Sequence, residues 1–531
     1  MSPITSSAAR KMGAVIEMPG ENVAASNEIE ICRDAASLTY RQVAAIARGE
    51  ARISIGSTAL ARLHTGRRIV ERIIEKGERA YGISTGLGAL SNIRLTGAQQ
   101  VQLSRNTLLS HACAVGQPLS VAATRAIMVT MFNDFCHGQS GVSPAVPVQL
   151  AALLNADITP IVPSQGSVGY IVHGAHIGLA LIGIGDVLVA GQRKPAAAAL
   201  ARAGLAPLEL GAKDGLCLVN GTRCLSGLAS LAVTEAEQIA DWADVTGALS
   251  FEALKGQILA FDADVLALKP HPGLLTVGRR LRDLLDGSEI IARHTGVRTQ
   301  DALSLRSIPQ IHGATRDQID HVRRQVEIEL GSATDNPLVL GDPDQYRVIS
   351  NANPHGQSLA MGMDLLAIAV AELGSVAERR LDRLVNPAVS DLPAFLIKES
   401  GVNSGMMIAQ YTAASLVAEN KLLSHPMVTD NYITSAQQED HLSLGTPSAL
   451  KCRQVIDNVR KILAIEFLLA GQALEFYPDM KRGRGTDCAY RLLRRDIPSY
   501  DQDRFLAPDI ALVDERLSAG DWLADINAVI G

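Results

Sequence analysis

The stretch Leu366-Ala-Ile-Ala-Val370-Ala-Glu-Leu373-Gly-Ser-Val-Ala377-Glu-Arg-Arg-Leu381-Asp-Arg-Leu384 places an apolar residue at every third or fourth position. On a helix of 3.6 residues per turn, that spacing gathers the apolar side chains onto one face. Ile456, Val459, Leu463 and Phe467 repeat with the same period further on. Long stripes of this kind must be covered, and packing helix on helix covers them. Alternating β-branched runs are scarce. The expected fold class is mainly α, built on a long-helix bundle with little β structure.

Outward from that bundle the chain divides by texture. Residues 1–26 are small and polar with little periodicity and are expected to form a flexible N-terminus. Residues 27–225 alternate helical stretches with glycine-punctuated loops such as Gly82–Gly88 and Gly138–Gly141, where a site can be presented. Residues 226–476 carry the long helices, and 477–531 return to shorter ones. Asn403 or Ser404 is expected to cap a helix starting near Gly405, with Pro426 outside its interior. The apolar run Ile177–Val189 is too short to span a bilayer and predicts a buried helix. Arg482-Gly-Arg-Gly485 predicts an exposed loop, and Arg379-Arg380 and Arg494-Arg495 predict solvated helix faces.

The chain has 531 residues, 47% hydrophobic and 20% charged, with a formal net charge of −6. That is enough for a large core, and the balance gives no electrostatic footprint for nucleic acid or an anionic membrane. Seven scattered cysteines and no apolar N-terminal run point to reduced thiols and a cytoplasmic protein.

Polar residues in apolar or glycine-rich surroundings are the candidates for chemistry. Tyr81 opens Tyr-Gly-Ile-Ser-Thr-Gly-Leu-Gly88 and either swings over a pocket or packs in a turn. No lysine follows, so a phosphate cradle is not indicated. His173 and His176 share a helical face, yet no third ligand or acid completes a zinc pattern, so no metal is expected. Gln300-Asp-Ala-Leu-Ser-Leu-Arg306 and Gln437-Gln-Glu-Asp-His441 are dense polar clusters that serve either as helix caps or as parts of a site.

Ordered along the chain, these and other motifs resemble the aromatic amino-acid ammonia-lyase family. The further motifs are Leu109-Ser-His111-Ala, Gly166-Ser-Val-Gly169, Leu218-Val-Asn220-Gly-Thr222, Pro309-Gln-Ile-His-Gly313, Ala333-Thr-Asp-Asn-Pro337, Asn353-Pro-His-Gly356 and Asn403-Ser-Gly405. The resemblance runs from about Leu38 to Phe476 and implies the histidine ammonia-lyase-like (fumarase/aspartase-like) helical architecture. It also implies a homotetramer whose active sites are shared between subunits. By position, Tyr81 matches the base that removes a β-proton, and Arg306 matches the arginine that clamps the substrate carboxylate. Asn220 matches the asparagine beside substrate and electrophile. His111 and Glu439 match the ring pocket, with Gln300 beside them.

The family's electrophile, methylidene-imidazolone, forms from an Ala-Ser-Gly that follows Gly-Ser-Val-Gly. Here Gly169 runs directly into Tyr170, and Leu303 stands where the lyases carry a tyrosine. These departures imply that no methylidene-imidazolone is formed and that the leaving nitrogen departs unaided. The reaction so implied is that of an ergothionase, releasing trimethylamine from the imidazole betaine ergothioneine and leaving thiourocanate. Tyr170 then either faces the trimethylammonium group or fills space, and Lys398 is either a second carboxylate contact or an exposed helix-end lysine. The alternatives are a histidine ammonia-lyase, converting L-histidine to urocanate and ammonia with its electrophile, and an inactive relative that only binds.

Overall fold

The computed structural model describes residues 29–531, so the stretch expected to be flexible up to Ser26 lies outside the described residues. Helices α1 (Gly97–His111), α2 (Val172–Leu181) and α3 (Asp214–Val219) come before the long ones. Those are α4 (Arg223–Ala253), α5 (Ile308–Leu330), α6 (Gln357–Val385), α7 (Met407–Leu423) and α8 (Gly445–Ala473). The described β structure is confined to short pieces, the largest a three-stranded antiparallel sheet of Ile158–Pro160, Asp186–Val189 and Gln192–Pro195. The described residues form the expected mainly α long-helix bundle with little β structure.

Both apolar stripes form helices as their period requires. Leu366, Val370, Leu373, Ala377, Leu381 and Leu384 are buried along α6, which packs most extensively on α8. At Gly374 a β-carbon would stand 3.0 Å from Ile462 and 3.1 Å from Val459, so glycine lets the two helices approach closely. Helix α4 is buried on nearly every side and forms the axis of the bundle. The segments Asp214–Ala253 and Gln357–Val385 are long and apolar enough to cross a membrane, but their most apolar stretches are 100% and 67% buried inside the protein. They are core helices.

Buried charges tie the bundle together. Arg380 on α6 grips Glu466 on α8 through two hydrogen bonds of 2.5 and 3.0 Å, and Thr246 and Ser250 on α4 donate to the same carboxylate at 2.7 and 2.8 Å. Asp244 on α4 accepts from His312 (2.9 Å) and Arg316 (2.5 Å) of α5 and from Arg280 (3.2 Å).

Several local expectations are corrected. Arg380 is fully buried rather than solvated, because Glu466 neutralises it inside the core. The run Ile177–Val189 does not stay helical. Helix α2 ends at Leu181, and the chain turns through Gly183 and Gly185, at φ 76° and 81°, into the strand Asp186–Val189. Neither Asn403 nor Ser404 caps α7, which starts at Met407. The N–H groups of Ser404 and Gly405 donate instead to the Asp503 carboxylate at 2.7 and 2.9 Å. Pro426 does lie beyond the end of α7. Residues 482–485 are not a free loop: the Gly483 N–H donates to buried Glu252 at 2.7 Å, and a helix begins at Arg484.

Candidate active site

A cavity of about 640 Å³ opens among the loops beside α1 and α3. Its walls include Tyr81, His111, Tyr170, Asn220 and Glu439, which the sequence singled out from widely separated motifs.

Tyr81 stands at the root of the glycine-rich loop. That loop is pinned by its own polar residues: Ser84 donates to the Glu78 carbonyl at 2.6 Å, and the Gly82 N–H donates to Thr85 at 3.2 Å. Gly82 has φ 63°, and a β-carbon there would strike Leu216, so the turn under Tyr81 requires glycine. The Gly88 N–H donates to the Tyr81 hydroxyl oxygen at 3.1 Å.

His111 is the last residue of α1. Its Nδ1 lies 2.9 Å from the Ser110 hydroxyl, which itself donates to the Asn106 carbonyl. Burial lowers the His111 pKa below the ordinary imidazole value, so at neutral pH the ring is uncharged and offers one donor and one acceptor. Glu439 closes a tight turn by pairing its backbone with Thr434 at 2.8 and 3.3 Å. Within that turn Ser435, Ala436 and Gln437 all adopt positive φ, at 51°, 53° and 69°. Each such residue stores on the order of 1–3 kcal/mol of strain, which the fold sustains where a side chain must be aimed. Burial, with added effects from Glu439 and Tyr81, pushes the Tyr170 phenol up to about 12. Tyr170 is therefore a neutral donor.

Asn220 caps the end of α3, and a buried ionic network holds it from below. Lys213, fully buried and at φ 70°, donates to Asp335 (2.9 Å), the Ser140 carbonyl (2.7 Å) and the Cys217 sulfur (3.3 Å). Asp335 accepts from Asn220 Nδ2 at 2.8 Å, and the same nitrogen donates to the Asn336 carbonyl at 2.7 Å. Sequence reasoning passed over Lys213 and gave Asp335 no role. The available signal was a lysine set just before the apolar run Leu216-Cys-Leu-Val219.

Gln300, Arg306 and Lys398 do not line this cavity. Gln300 and Lys398 are exposed, and Arg306 donates to the Asp301 carbonyl at 3.2 Å. The loop Gly138–Gly141, expected to present a site, packs against the Ser57–Lys76 helix instead, where Gly66 would clash with the Gly138 carbonyl if it bore a β-carbon. His173 lies 3.2 Å from the Ser164 carbonyl, and His176 accepts from the Ala114 N–H at 3.2 Å, so both are engaged in structure. No cluster of three or more His, Cys, Asp or Glu side chains is placed to hold a metal among the described residues.

A helix bundle with such a cavity at its loops is compatible with many chemistries, and it is likeness to known proteins that makes this one a carbon–nitrogen lyase. The chain belongs to the aromatic amino acid lyase family, whose sequence profile matches residues 38–495. It is 45% identical over 499 residues to the histidine ammonia-lyase of Symbiobacterium thermophilum, covering 93% of this chain and 98% of that protein. The solved histidine ammonia-lyase of Trypanosoma cruzi matches with a TM-score of 0.88 at 36% identity, over 95% of this chain and 96% of that one. The ergothionase of Treponema denticola has a TM-score of 0.87 but 28% identity, over 93% and 99% of the two chains.

These likenesses overturn the ergothionase expectation. Relatives 40 to 45% identical bear the name histidine ammonia-lyase, against 28% for ergothionase. The expectation of no methylidene-imidazolone falls with it, because histidine ammonia-lyases carry that electrophile, built from their own chain. The residues present nevertheless do not fit the group. Gly169 is joined directly to Tyr170, whose ring stands in the cavity wall, and no Ser-Gly step occurs among the lining residues. Ser167, two residues before Gly169, lies within hydrogen-bonding distance of the Gly169 nitrogen and the Tyr170 carbonyl and is followed by Val168. The steps below are therefore assigned to this chain's own side chains.

Proposed function

We propose that the protein is an ammonia-lyase acting on L-histidine, releasing ammonia and leaving urocanate. The observation that carries this reading is the convergence of Tyr81, His111, Asn220 and Glu439 on one cavity in a chain whose relatives bear that name. An imidazole ring offers one N–H and one lone-pair nitrogen. The uncharged His111 and the Glu439 carboxylate match that pattern, whereas a phenyl ring would leave both unanswered.

In this scheme the Tyr81 oxygen, as phenolate, takes the β-proton, the electron pair of that C–H bond becomes the new double bond, and the ammonium nitrogen leaves with its bonding pair as neutral ammonia. Tyr170, a neutral phenol in the cavity wall, is available to donate a hydrogen bond to the substrate. A positioned base supplies about 10²–10⁴-fold in rate, and orientation supplies much of the rest. Arg306 reaches the substrate carboxylate from a neighbouring copy of the chain in a homotetramer with shared sites. Leu303, 62% exposed on the same short helix as that arginine, fits burial against such a copy. The free thiols of all seven cysteines fit a cytoplasmic location.

The test is to supply L-histidine, hercynine and ergothioneine separately and to follow ammonium, trimethylamine and the ultraviolet absorbance of the acrylate product. Ammonium and urocanate from L-histidine are expected. Binding without any product from any of the three would make the protein an inactive binder. Intact mass adds a second readout: an excess over the 531-residue sequence equal to Ala-Ser-Gly less two waters shows the relatives' electrophile in this chain.

A further inference from the structure

Both hydrogens of the Asn220 carboxamide are committed. One meets Asp335 Oδ1 at 2.8 Å and the other the Asn336 carbonyl at 2.7 Å, and both partners are obligate acceptors in this arrangement. A flipped amide would set oxygen against carboxylate and carbonyl oxygen, so the orientation follows from chemistry rather than from atom labels. Among the described residues no donor reaches Asn220 Oδ1, and Asn220 lines the cavity.

Asp335 must stay ionised for this to hold. Burial pushes its carboxyl up, but Lys213 and Arg223 outweigh that and hold it below the ordinary aspartate range. Lys213 is itself fixed by its three acceptors, and Asp335 also takes the Asn336 N–H at 2.7 Å. The charged and titratable groups around the pair are thus Lys213, Arg223 and Cys217.

We propose that Asp335, braced by Lys213, is a positioning residue that locks Asn220 with its carbonyl oxygen toward the cavity, making that oxygen the acceptor for the ammonium group of a bound amino acid. The inference rests on the reading that the substrate carries a free ammonium. It distinguishes ligands by their nitrogen: a ligand with ring and carboxylate but no amine gains nothing from Asn220.

The test compares L-histidine with 3-(imidazol-4-yl)propionate, its analogue without the amine. In Asp335→Asn the amide is free to flip. The KM for L-histidine is expected to rise about tenfold or more, as for loss of a hydrogen bond to a charged group, while the inhibition constant of the propionate changes less than twofold. Equal shifts in both, or none in either, overturn the proposal. Because Asp335→Asn leaves Lys213 without its counter-charge and can fail to fold, Asn220→Asp supplies a second reading that needs no turnover. Two facing carboxylates then share one proton, so the variant should melt well below the parent at pH 8 and approach it at pH 5.5. A gap that ignores pH overturns the locked amide. If the parent never deaminates histidine, the proposed function fails, and the melting comparison still decides the amide's orientation.

Discussion

The Gly88 N–H donates to the Tyr81 oxygen across 3.1 Å, tying the first residue of the glycine-rich loop to the last. A tyrosine that sequence alone would let swing is therefore held with its oxygen at the cavity wall, already accepting one hydrogen bond.

Replacing Tyr81 with phenylalanine keeps the ring and removes that oxygen. kcat for L-histidine is expected to fall by roughly 10²–10⁴-fold with KM little changed, because ring and carboxylate contacts persist. Steady-state kinetics checks this, and turnover close to the parent's would move the base elsewhere.

Glu439→Gln retains shape and removes the charge facing the ring. A charge-assisted hydrogen bond contributes about 1.5–3 kcal/mol, so the KM for L-histidine should rise roughly ten- to a hundredfold. The preference for L-histidine over L-phenylalanine should shrink with it. An unaltered preference would remove Glu439 from ring recognition.

The placement of Arg306 makes a prediction about mixtures. Tyr81→Phe and Arg306→Ala should each be nearly inactive alone. Co-refolded or co-expressed, they should recover activity, because some sites then combine an intact tyrosine from one copy with an intact arginine from another. No recovery in oligomers shown to be mixed would confine both residues to one chain's site.

Stability should depend on acid through Asp244. Burial alone would push its carboxyl up, but Arg316, the His312 hydrogen bond and Arg280 outweigh that and hold it at about 2. An unfolded aspartate titrates near 3.8. The contribution, about 2 kcal/mol, is thus complete above pH 5 and disappears as pH falls from 4 toward 2. Denaturant titrations between pH 7 and 3 should show that loss in the parent and a flatter acid limb from a lower plateau in Asp244→Asn. Identical acid limbs would contradict the assignment.

What the chain alone disclosed follows from how far each signal reaches. The stripes of α6 and α8 are local, since period alone marks a buried face. The flanking acids Glu378 and Asp382 make Arg380 read as solvated, whereas the carboxylate that neutralises it, Glu466, sits on another helix. The pairing of Lys213 with Asp335 was hidden for the same reason, since the two lie 122 residues apart in the chain. Gly183 and Gly185 did announce the break after α2, but the apolar run around them spoke louder. The resemblance brought Tyr81, His111, Asn220 and Glu439 to one place, yet pointed to the wrong substrate. One missing segment says less about substrate than likeness spread over the rest of the chain.

The grip of Arg380 on Glu466, with Thr246 and Ser250 joined to the same carboxylate, fastens three helices at one level. Adding or removing a single residue within any of them would rotate its contributor by about 100° out of reach. Natural variants of this protein should therefore accommodate insertions and deletions in the connections and accept only substitutions along these three rods.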